Sequence, residues 1–82
     1  MRLDKYLKVA RLIKRRTVAK SAVETDHVLA NGRQVKPSYD VKVGDILTIR
    51  FGEHLLEVRV LQLAEHTLKA DAASLYEIIS KE

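Results

Sequence analysis

The sequence predicts an α+β domain in which two N-terminal helices pack on a small antiparallel sheet and a short C-terminal helix follows. Three observations lead to this prediction. Apolar residues near the N-terminus recur at the three- and four-residue spacing of a helix face. Apolar and polar residues alternate farther on, as in half-buried strands, and an Asn-Gly pair marks a tight turn. The chain has 82 residues, the length of one domain, so these elements should share one core.

The first helix is predicted over residues 3 to about 13, because its apolar residues fall on one broad face and its charged residues on the other. Leu12 lies outside the apolar stripe and is expected to mark the end of the helix. Tyr6 lies within the stripe and is expected in the core. The full apolar stripe consists of Leu3, Tyr6, Leu7, Val9, Ala10 and Ile13.

A second helix is predicted over about residues 18–25 with Thr17 as its N-cap, because a threonine hydroxyl can accept a hydrogen bond from the first turn. Lys20 stands where the glutamate of a capping box would lie. A glutamate would satisfy the helix end internally, whereas a lysine leaves the positive end of the helix open to an external anion. The three cations at 14–16 lie beside this end.

The first hairpin is predicted to join strands at 28–30 and 33–35 through Asn31 and Gly32. Both turn residues tolerate a positive φ, which a type I′ turn requires at its two central positions. Pro37 is expected to end the second strand, because proline cannot donate a ladder hydrogen bond.

Two longer strands are predicted in the second half of the chain. Residues 41–45 predict a turn into a strand at 46–51, and the Gly-Glu pair at 52–53 predicts the turn into a strand at 55–63. In that last strand apolar and charged side chains alternate, which is typical of a sheet with one buried face.

A short final helix is predicted to begin with Asp71 as its cap. Leu75, Ile78 and Ile79 recur at helical spacing and would dock this helix on the sheet.

The composition excludes several classes of protein. There is no cysteine, which rules out disulfides and cysteine-bound zinc. No apolar run is long enough to span a membrane, and the N-terminal residues are too charged for a signal peptide, so a cytoplasmic protein is expected. His27, His54 and His66 have no metal-site spacing and are expected at the surface. No serine lies in a glycine-flanked elbow and no glycine-rich phosphate loop is present, so we expect neither catalysis nor a cofactor or metal.

Charge is divided unevenly along the chain. Residues 1–36 hold ten Lys and Arg against three acids, a net charge of +7, whereas residues 37–82 hold five against eight, a net of −3. A charge run often forms only a solvated surface, but this segregation favours a polyanion, and nucleic acid in particular. Tyr6 is the only aromatic residue among the basic ones, so a base-stacking platform is not expected. Recognition should depend on phosphates and backbone shape, as for structured RNA.

Five segments of the chain together resemble the S-four (S4) RNA-binding domain, which is named after the fourth small-subunit ribosomal protein. The resemblance covers about residues 1–50 and implies a helix pair that docks on folded RNA. Residues 51–82 would add a C-terminal hairpin strand and a short helix, within a single domain over 1–82. The segments are, in order, RLDKYL (2–7), KRRTVA (14–19), VLANGRQV (28–35), KPS (36–38) and VGD (43–45).

The whole chain, including the segment AASLYEII at 72–79, resembles the stand-alone S4 proteins of the RqcP family of Gram-positive bacteria. This resemblance implies a non-catalytic, ribosome-associated factor of ribosome-associated quality control. Its implied partners are the large ribosomal subunit with its 23S rRNA, the P-site peptidyl-tRNA, and an RqcH/NEMF-type factor that adds C-terminal alanines to the stalled chain. We expect a monomer that does not contact membranes.

The RNA-binding residues are expected in the basic half of the chain, where Arg2, Arg15, Arg16 and Thr17 match the helix-pair motif of the family. Asp4 could orient a neighbouring arginine or complement the dipole of the first helix. Asn31 and Gly32 match the hairpin and are favoured as a turn alone, and Ser38 could reach phosphate. The complete set of expected RNA-binding residues is Arg2, Lys5, Lys8, Arg11, Arg15, Arg16, Thr17, Lys20, Arg33 and Lys36.

Two other functions remain open from the sequence. One is a heat-shock-type S4 protein that recycles or assembles free large subunits. The other is a protein–protein adaptor that uses the apolar C-terminal segment. RNA binding should weaken steeply with salt, because each neutralised phosphate releases counterions, whereas an apolar contact should barely respond.

Overall fold

The structure, a computed structural model, describes all 82 residues of the chain. Two α-helices, α1 (Leu3–Val9) and α2 (Arg16–Glu24), precede the sheet. The strands are β1 (Val28–Ala30), β2 (Ile46–Phe51), β3 (His54–Val60) and β4 (Tyr76–Lys81), with a 3-10 helix (Lys69–Leu75) before the last. No helix is both long and apolar enough to cross a membrane.

The four strands form one antiparallel sheet in the order β1-β2-β3-β4, which confirms the predicted α+β architecture. In β2, Leu47 and Ile49 point toward the helices, while their neighbours in the strand are more exposed. Leu47 pairs with Ala30 on one side and Val58 on the other, so the buried residues of three strands align in one row. Both helices close over this row. The core consists mainly of Leu3, Tyr6, Leu7, Ala10, Ile13, Ala19, Val23, Val28, Ala30, Val41, Leu47, Ile49, Val58, Val60 and Leu75.

The first helix is shorter than predicted and ends at Val9 rather than near residue 13. Arg11 adopts a left-handed conformation with a φ of 58°. The N–H of Leu12 donates to the carbonyl of Leu7, and the N–H of Arg11 donates to that of Lys8. These two bonds form a Schellman motif, which reverses the chain direction at the helix end. Tyr6 is fully buried in the core, as predicted.

The second helix begins one residue before the predicted cap, so the prediction of Thr17 as N-cap is wrong. Arg15 is the N-cap, with an extended backbone and no side-chain capping bond. The N–H of Ala19 donates to the carbonyl of Arg15, which closes the first helical turn there. Thr17 therefore lies inside the first turn, and its side chain is exposed.

The Asn31-Gly32 turn is confirmed, because both residues have a positive φ (54° and 76°) and Ala30 and Arg33 exchange backbone hydrogen bonds. The strand predicted at 33–35 is wrong, since only Arg33 forms a bridge. The chain leaves the sheet because the backbone carbonyls of residues 37 and 39 accept hydrogen bonds from the start of α1 instead.

The segment after the turn covers the N-terminus of α1. The carbonyl of Tyr39 accepts from the N–H of Leu3, and that of Pro37 accepts from the N–H of Asp4. The backbone donors at the start of this helix are thereby satisfied within the protein.

The strand at 46–51 is confirmed, and the next strand ends at Val60 rather than at residue 63. It ends there because the N–H groups of Leu61 and Gln62 both donate hydrogen bonds to the carbonyl of Leu75.

The predicted C-terminal helix is wrong in its second part. Asp71 lies within the 3-10 helix, whose N-cap is Leu68, and residues 76–81 form strand β4 along the free edge of β3. Leu75 is buried as predicted, but Ile78 and Ile79 are about half exposed (55% and 45%). The short apolar run is rich in β-branched residues, which favour a strand wherever an edge is available to pair with.

Candidate nucleic-acid interface

A buried aspartate holds two of the predicted RNA-binding arginines. The side chain of Asp4 is only 3% exposed, and Nε and Nη2 of Arg2 each donate to one of its oxygens at 3.2 Å. Nη2 of Arg16 lies 3.6 Å from Asp4 Oδ1. The side chains of both arginines remain about half exposed (49% and 47%). Two guanidinium groups are therefore fixed beside each other at the surface by one carboxylate beneath them.

Asp4 fulfils both roles considered for it from the sequence. It lies in the first turn of α1, where its Oδ1 also accepts a hydrogen bond from the N–H of Lys5 at 2.8 Å. Burial raises the pKa of its carboxyl, but the hydrogen bonds from Arg2 and from the N–H of Lys5, with the charges of Arg16 and Arg2, lower it by more. The net pKa lies below the usual value, so Asp4 stays ionised at neutral pH.

The N-terminus of α2 is open to solvent. The N–H groups of Arg16, Thr17 and Val18 have no acceptor within the protein, and no acidic residue lies in the first turn. The side chains of Arg15, Arg16 and Lys20 around this end are exposed. Unpaired N–H groups, a positive helix end and neighbouring cations together form a place suited to a phosphate group.

Two open grooves lie on either side of the Arg2–Asp4–Arg16 cluster. Arg2 lines the first, together with Lys20, Lys36 and Ser38. The first groove also contains the acidic residues Glu24 and Asp26, which lie toward the end of α2.

Arg16 lines the second groove, together with Lys5 and Lys8 from α1 and His66 from the segment before the 3-10 helix. Lys5 forms an ion pair with Glu65, so its charge is partly neutralised within the protein. The arginine pair thus belongs to both grooves and joins them.

Four predicted site residues lie apart from these grooves, and one of them is Thr17 in the exposed first turn of α2. Arg11 and Arg15 are exposed and form no ion pair, at the end of α1 and the start of α2. Arg33 lies beyond the hairpin turn, in a separate groove with Asn31 and Tyr39.

The hairpin that carries Arg33 is fixed by a polar network. Asp45 accepts hydrogen bonds from the amide of Asn31 at 3.1 Å and from the hydroxyl of Tyr39 at 2.9 Å. Burial raises the pKa of Asp45, but the N–H of Lys42 and these two side chains lower it by more, so its net pKa lies below the usual value. The network orients the turn and engages the side-chain oxygen and one N–H of the Asn31 amide within the protein.

Sequence reasoning missed one arrangement, in which Lys14, His27, Arg50 and Phe51 line a single groove. These residues are distant in the chain, so no local pattern could have indicated that they meet. The three histidines are exposed, as predicted, and no group of three or more acidic or histidine side chains could hold a metal ion.

The chain is similar in sequence to known proteins. The S4 domain family matches residues 1–47. The RQC P-site tRNA stabilizing factor of Streptococcus pneumoniae is 56% identical over 81 residues, which are 99% of this chain and 92% of that protein. The factor of the same name from Bacillus subtilis is 52% identical over 82 residues, covering the whole of this chain and 95% of the relative.

Among solved structures, the fold is similar to the trimeric structure of Vibrio cholerae heat shock protein 15. The TM-score is 0.91 at 32% identity, over 98% of this chain and 82% of that one. The identity to the two tRNA-stabilizing factors is much higher and extends over nearly their full length. The chain therefore belongs to the S4 domain family and, within it, to the family of RQC P-site tRNA stabilizing factors.

Proposed function

We propose that this protein is a non-catalytic RNA-binding factor of ribosome-associated quality control. It binds large ribosomal subunits obstructed with peptidyl-tRNA, contacts 23S rRNA and the tRNA, and holds the tRNA in the P site. Holding the tRNA supports the addition of C-terminal alanines to the stalled chain. Family membership supports this proposal, because the relatives at 56% and 52% identity are named as P-site tRNA stabilizing factors.

The observation that carries the proposal is the Arg2–Asp4–Arg16 cluster beside the open end of α2. Guanidinium groups bind phosphates with two parallel hydrogen bonds, and a fixed pair loses little side-chain entropy on binding. The cluster joins two basic grooves, so one small domain could meet two RNA segments at once. Simultaneous contact with rRNA and tRNA is what holding a tRNA on the subunit requires.

Two finer parts of the proposal concern partners. The protein acts together with an RqcH/NEMF-type factor. The partner performs the alanine addition, because the proposed role of the present chain is to contact RNA. It acts as a monomer, because the proposed RNA contacts all come from one copy. Analytical ultracentrifugation of the free protein tests this state, and a trimer at micromolar concentration would contradict it.

The second candidate is a heat-shock-type function on free large subunits. The TM-score of 0.91 to heat shock protein 15 favours it. It differs from the first proposal in the state of the subunit, which would lack tRNA. The adaptor function differs from both, because it requires no RNA.

Sedimentation through sucrose gradients separates the three functions. A tagged protein is expressed in cells, and each fraction of the lysate is probed for the tag and for tRNA. Comigration with large subunits that retain tRNA is the expected result. Comigration with tRNA-free subunits would favour the heat-shock function, and a peak only in the slowly sedimenting fractions would favour the adaptor.

Matched variants connect this experiment to the site. Arg16→Ala and Arg2→Ala should shift the protein away from the subunit fractions, whereas Lys81→Ala should not, because Lys81 lies at the opposite end of the chain and is exposed. Equal sedimentation of all three variants would refute the role of the arginine pair.

A further inference from the structure

An apolar groove with a basic rim lies beside the second helix, outside the arginine cluster. Its rim consists of Lys14, His27 and Arg50, and no carboxylate lines it. Neither Lys14 nor Arg50 forms an ion pair elsewhere. The apolar lining comes from the helix connection, from α2 and from β2, and consists of Leu12, Ile13, Val18, Ala22, Ile49 and Phe51.

The rim of this groove is built from distant segments that are fixed to each other. The N–H of Arg50 donates to the carbonyl of His27 at 2.8 Å, which holds the end of β2 against the end of α2. Phe51 is the last residue of β2 and pairs with His54 across the turn. Phe51 and Val18 are 44% and 52% exposed although both are large and apolar. Their exposure leaves an aromatic and an aliphatic surface uncovered within a cationic rim.

We propose that this groove receives an unpaired nucleobase of the bound RNA. The base lies in the apolar groove against the Phe51 ring, and Lys14 and Arg50 meet the phosphates on either side of it. An aromatic ring accepts any base, because every base has a π-face, and cations around it follow the backbone. The inference rests on the proposed RNA-binding function and adds to it a second contact of a different chemical kind.

Two observations favour RNA over a protein partner at this groove. The rim carries only cations and a histidine, which complements phosphate. The groove is also continuous with the proposed RNA surface, because Lys14 immediately precedes Arg15 and Val18 lies in the open first turn of α2. An RNA strand crossing the end of α2 would reach the groove directly.

The test compares two fluorescent RNAs by anisotropy: a hairpin with a single-stranded loop, and a blunt duplex of the same stem. Phe51→Leu keeps an apolar side chain but removes the ring, so it should weaken binding of the loop RNA at least about fivefold and leave the duplex unchanged. Phe51→Trp should retain loop binding. Leu68→Ala, which shortens an exposed leucine outside the groove, is the control.

A second pair of variants tests the rim without touching the ring. Lys14→Ala and Arg50→Ala should each reduce the salt dependence of loop binding by about 0.7 in the log–log slope, as for one phosphate of a single strand. Thermal unfolding of each variant checks the fold. If Phe51→Leu fails to fold, Lys14→Ala and Arg50→Ala still decide the question, because a groove that does not contact RNA would leave both salt slopes unchanged.

Unchanged loop binding by Phe51→Leu and Arg50→Ala would overturn the inference, and the groove would then suit a protein partner. Arg16→Ala separates this failure from that of the proposed function. If Arg16→Ala weakens binding of both RNAs while Phe51→Leu does not, only the nucleobase site is refuted. If Arg16→Ala has no effect either, the proposed RNA surface itself is refuted.

Discussion

At the scale of single residues, the two helices end in the same unusual way. Arg11 and Asp26 occupy left-handed positions with φ near 60° (58° and 60°), where glycine is the common residue. After α2, the N–H of His27 donates to the carbonyl of Ala22, as Leu12 does to Leu7 after α1. Neither helix end carries the usual glycine signal, and the sequence prediction placed the end of α1 too late, near residue 13 rather than at Val9. A side chain retained at such a position is a candidate for a role other than folding.

Replacing Arg11 by glycine should therefore separate stability from binding. Arg11→Gly relieves the left-handed strain and should raise the free energy of unfolding by about 0.5–1 kcal/mol. It should also weaken RNA binding, because it removes an exposed cation. Urea unfolding and RNA anisotropy measure the two effects. Arg11→Ala is the control, since it removes the charge but keeps the strain; a loss of stability in Arg11→Gly would contradict the Schellman interpretation.

The buried carboxylate of Asp4 should make stability depend on pH. Its folded pKa lies below the unfolded value of 3.8, so its ionised form stabilises the native state above that pH, and the contribution is lost as the pH falls through 3.8 and below the folded pKa. Asp4→Asn should cost about 1–3 kcal/mol at neutral pH and progressively less in acid.

Urea unfolding of the wild type and Asp4→Asn from neutral to strongly acidic pH measures this difference. The control is Asp71→Asn, because Asp71 is exposed and its carboxylate forms no ion pair. A difference between wild type and Asp4→Asn that stays constant with pH would show that the arginine pair is not held by a charged carboxylate.

At the scale of the elements, one carbonyl joins α1, β3 and the 3-10 helix. The carbonyl oxygen of Leu75 accepts from the hydroxyl of Tyr6 at 2.7 Å and from the N–H groups of Leu61 and Gln62. Burial, with a smaller effect from Tyr76, raises the pKa of Tyr6, so its hydroxyl stays protonated and donates this bond. The junction holds the C-terminal segment under the first helix, so the basic half depends on it for support.

Tyr6→Phe should test that junction with little change in packing. The loss should be about 0.5–1.5 kcal/mol, at the modest end for a buried bond because the Leu75 carbonyl keeps two other donors. In a domain of this size a loss of 1 kcal/mol lowers Tm by about 4–8 °C. The matched control is Tyr76→Phe, whose hydroxyl forms no side-chain hydrogen bond. Equal Tm values for Tyr6→Phe and the wild type would show that the bond contributes nothing.

At the scale of the whole molecule, the basic first half of the sequence is also a basic surface. Arg2, Lys20 and Lys36 come from three separate segments and line one groove. The acidic second half forms the strands β2, β3 and β4 and the 3-10 helix, and within it Arg59 of β3 pairs with Glu77 of β4. The net charge of +4 therefore understates the field that a polyanion meets at the helix pair.

The salt dependence of RNA binding should show which cations contact phosphate, those of the basic half or those of the acidic half. Between about 50 and 200 mM salt, Lys20→Ala should reduce the log–log slope of affinity for a folded RNA by about 0.7–0.9, as expected for one lost phosphate contact. Lys69→Ala removes the same charge from the acidic half and should leave the slope unchanged. Anisotropy titrations with labelled tRNA measure both, and identical slopes for the two variants would show attraction by net charge alone.

The sequence by itself determined the features that depend on local pattern. The strand at 46–51 and the turn at Asn31-Gly32 follow from alternation and from turn chemistry, which act between near neighbours. The segregation of charge follows from composition along the chain. Arg2 and Arg16 were indicated by the motif of the S4 family, but not their arrangement.

Only the tertiary structure decided the features that depend on distant partners. Residues 76–81 form a strand because β3 offers an unpaired edge, and backbone hydrogen bonds there outweigh a weak helical pattern. The buried carboxylate of Asp4 pairs with two arginines because helix packing brings residues 2, 4 and 16 together. Phe51 lines one groove with Lys14 and Arg50 for the same reason. Side chains far apart in the chain meet only through the packing of the core, which no local pattern records.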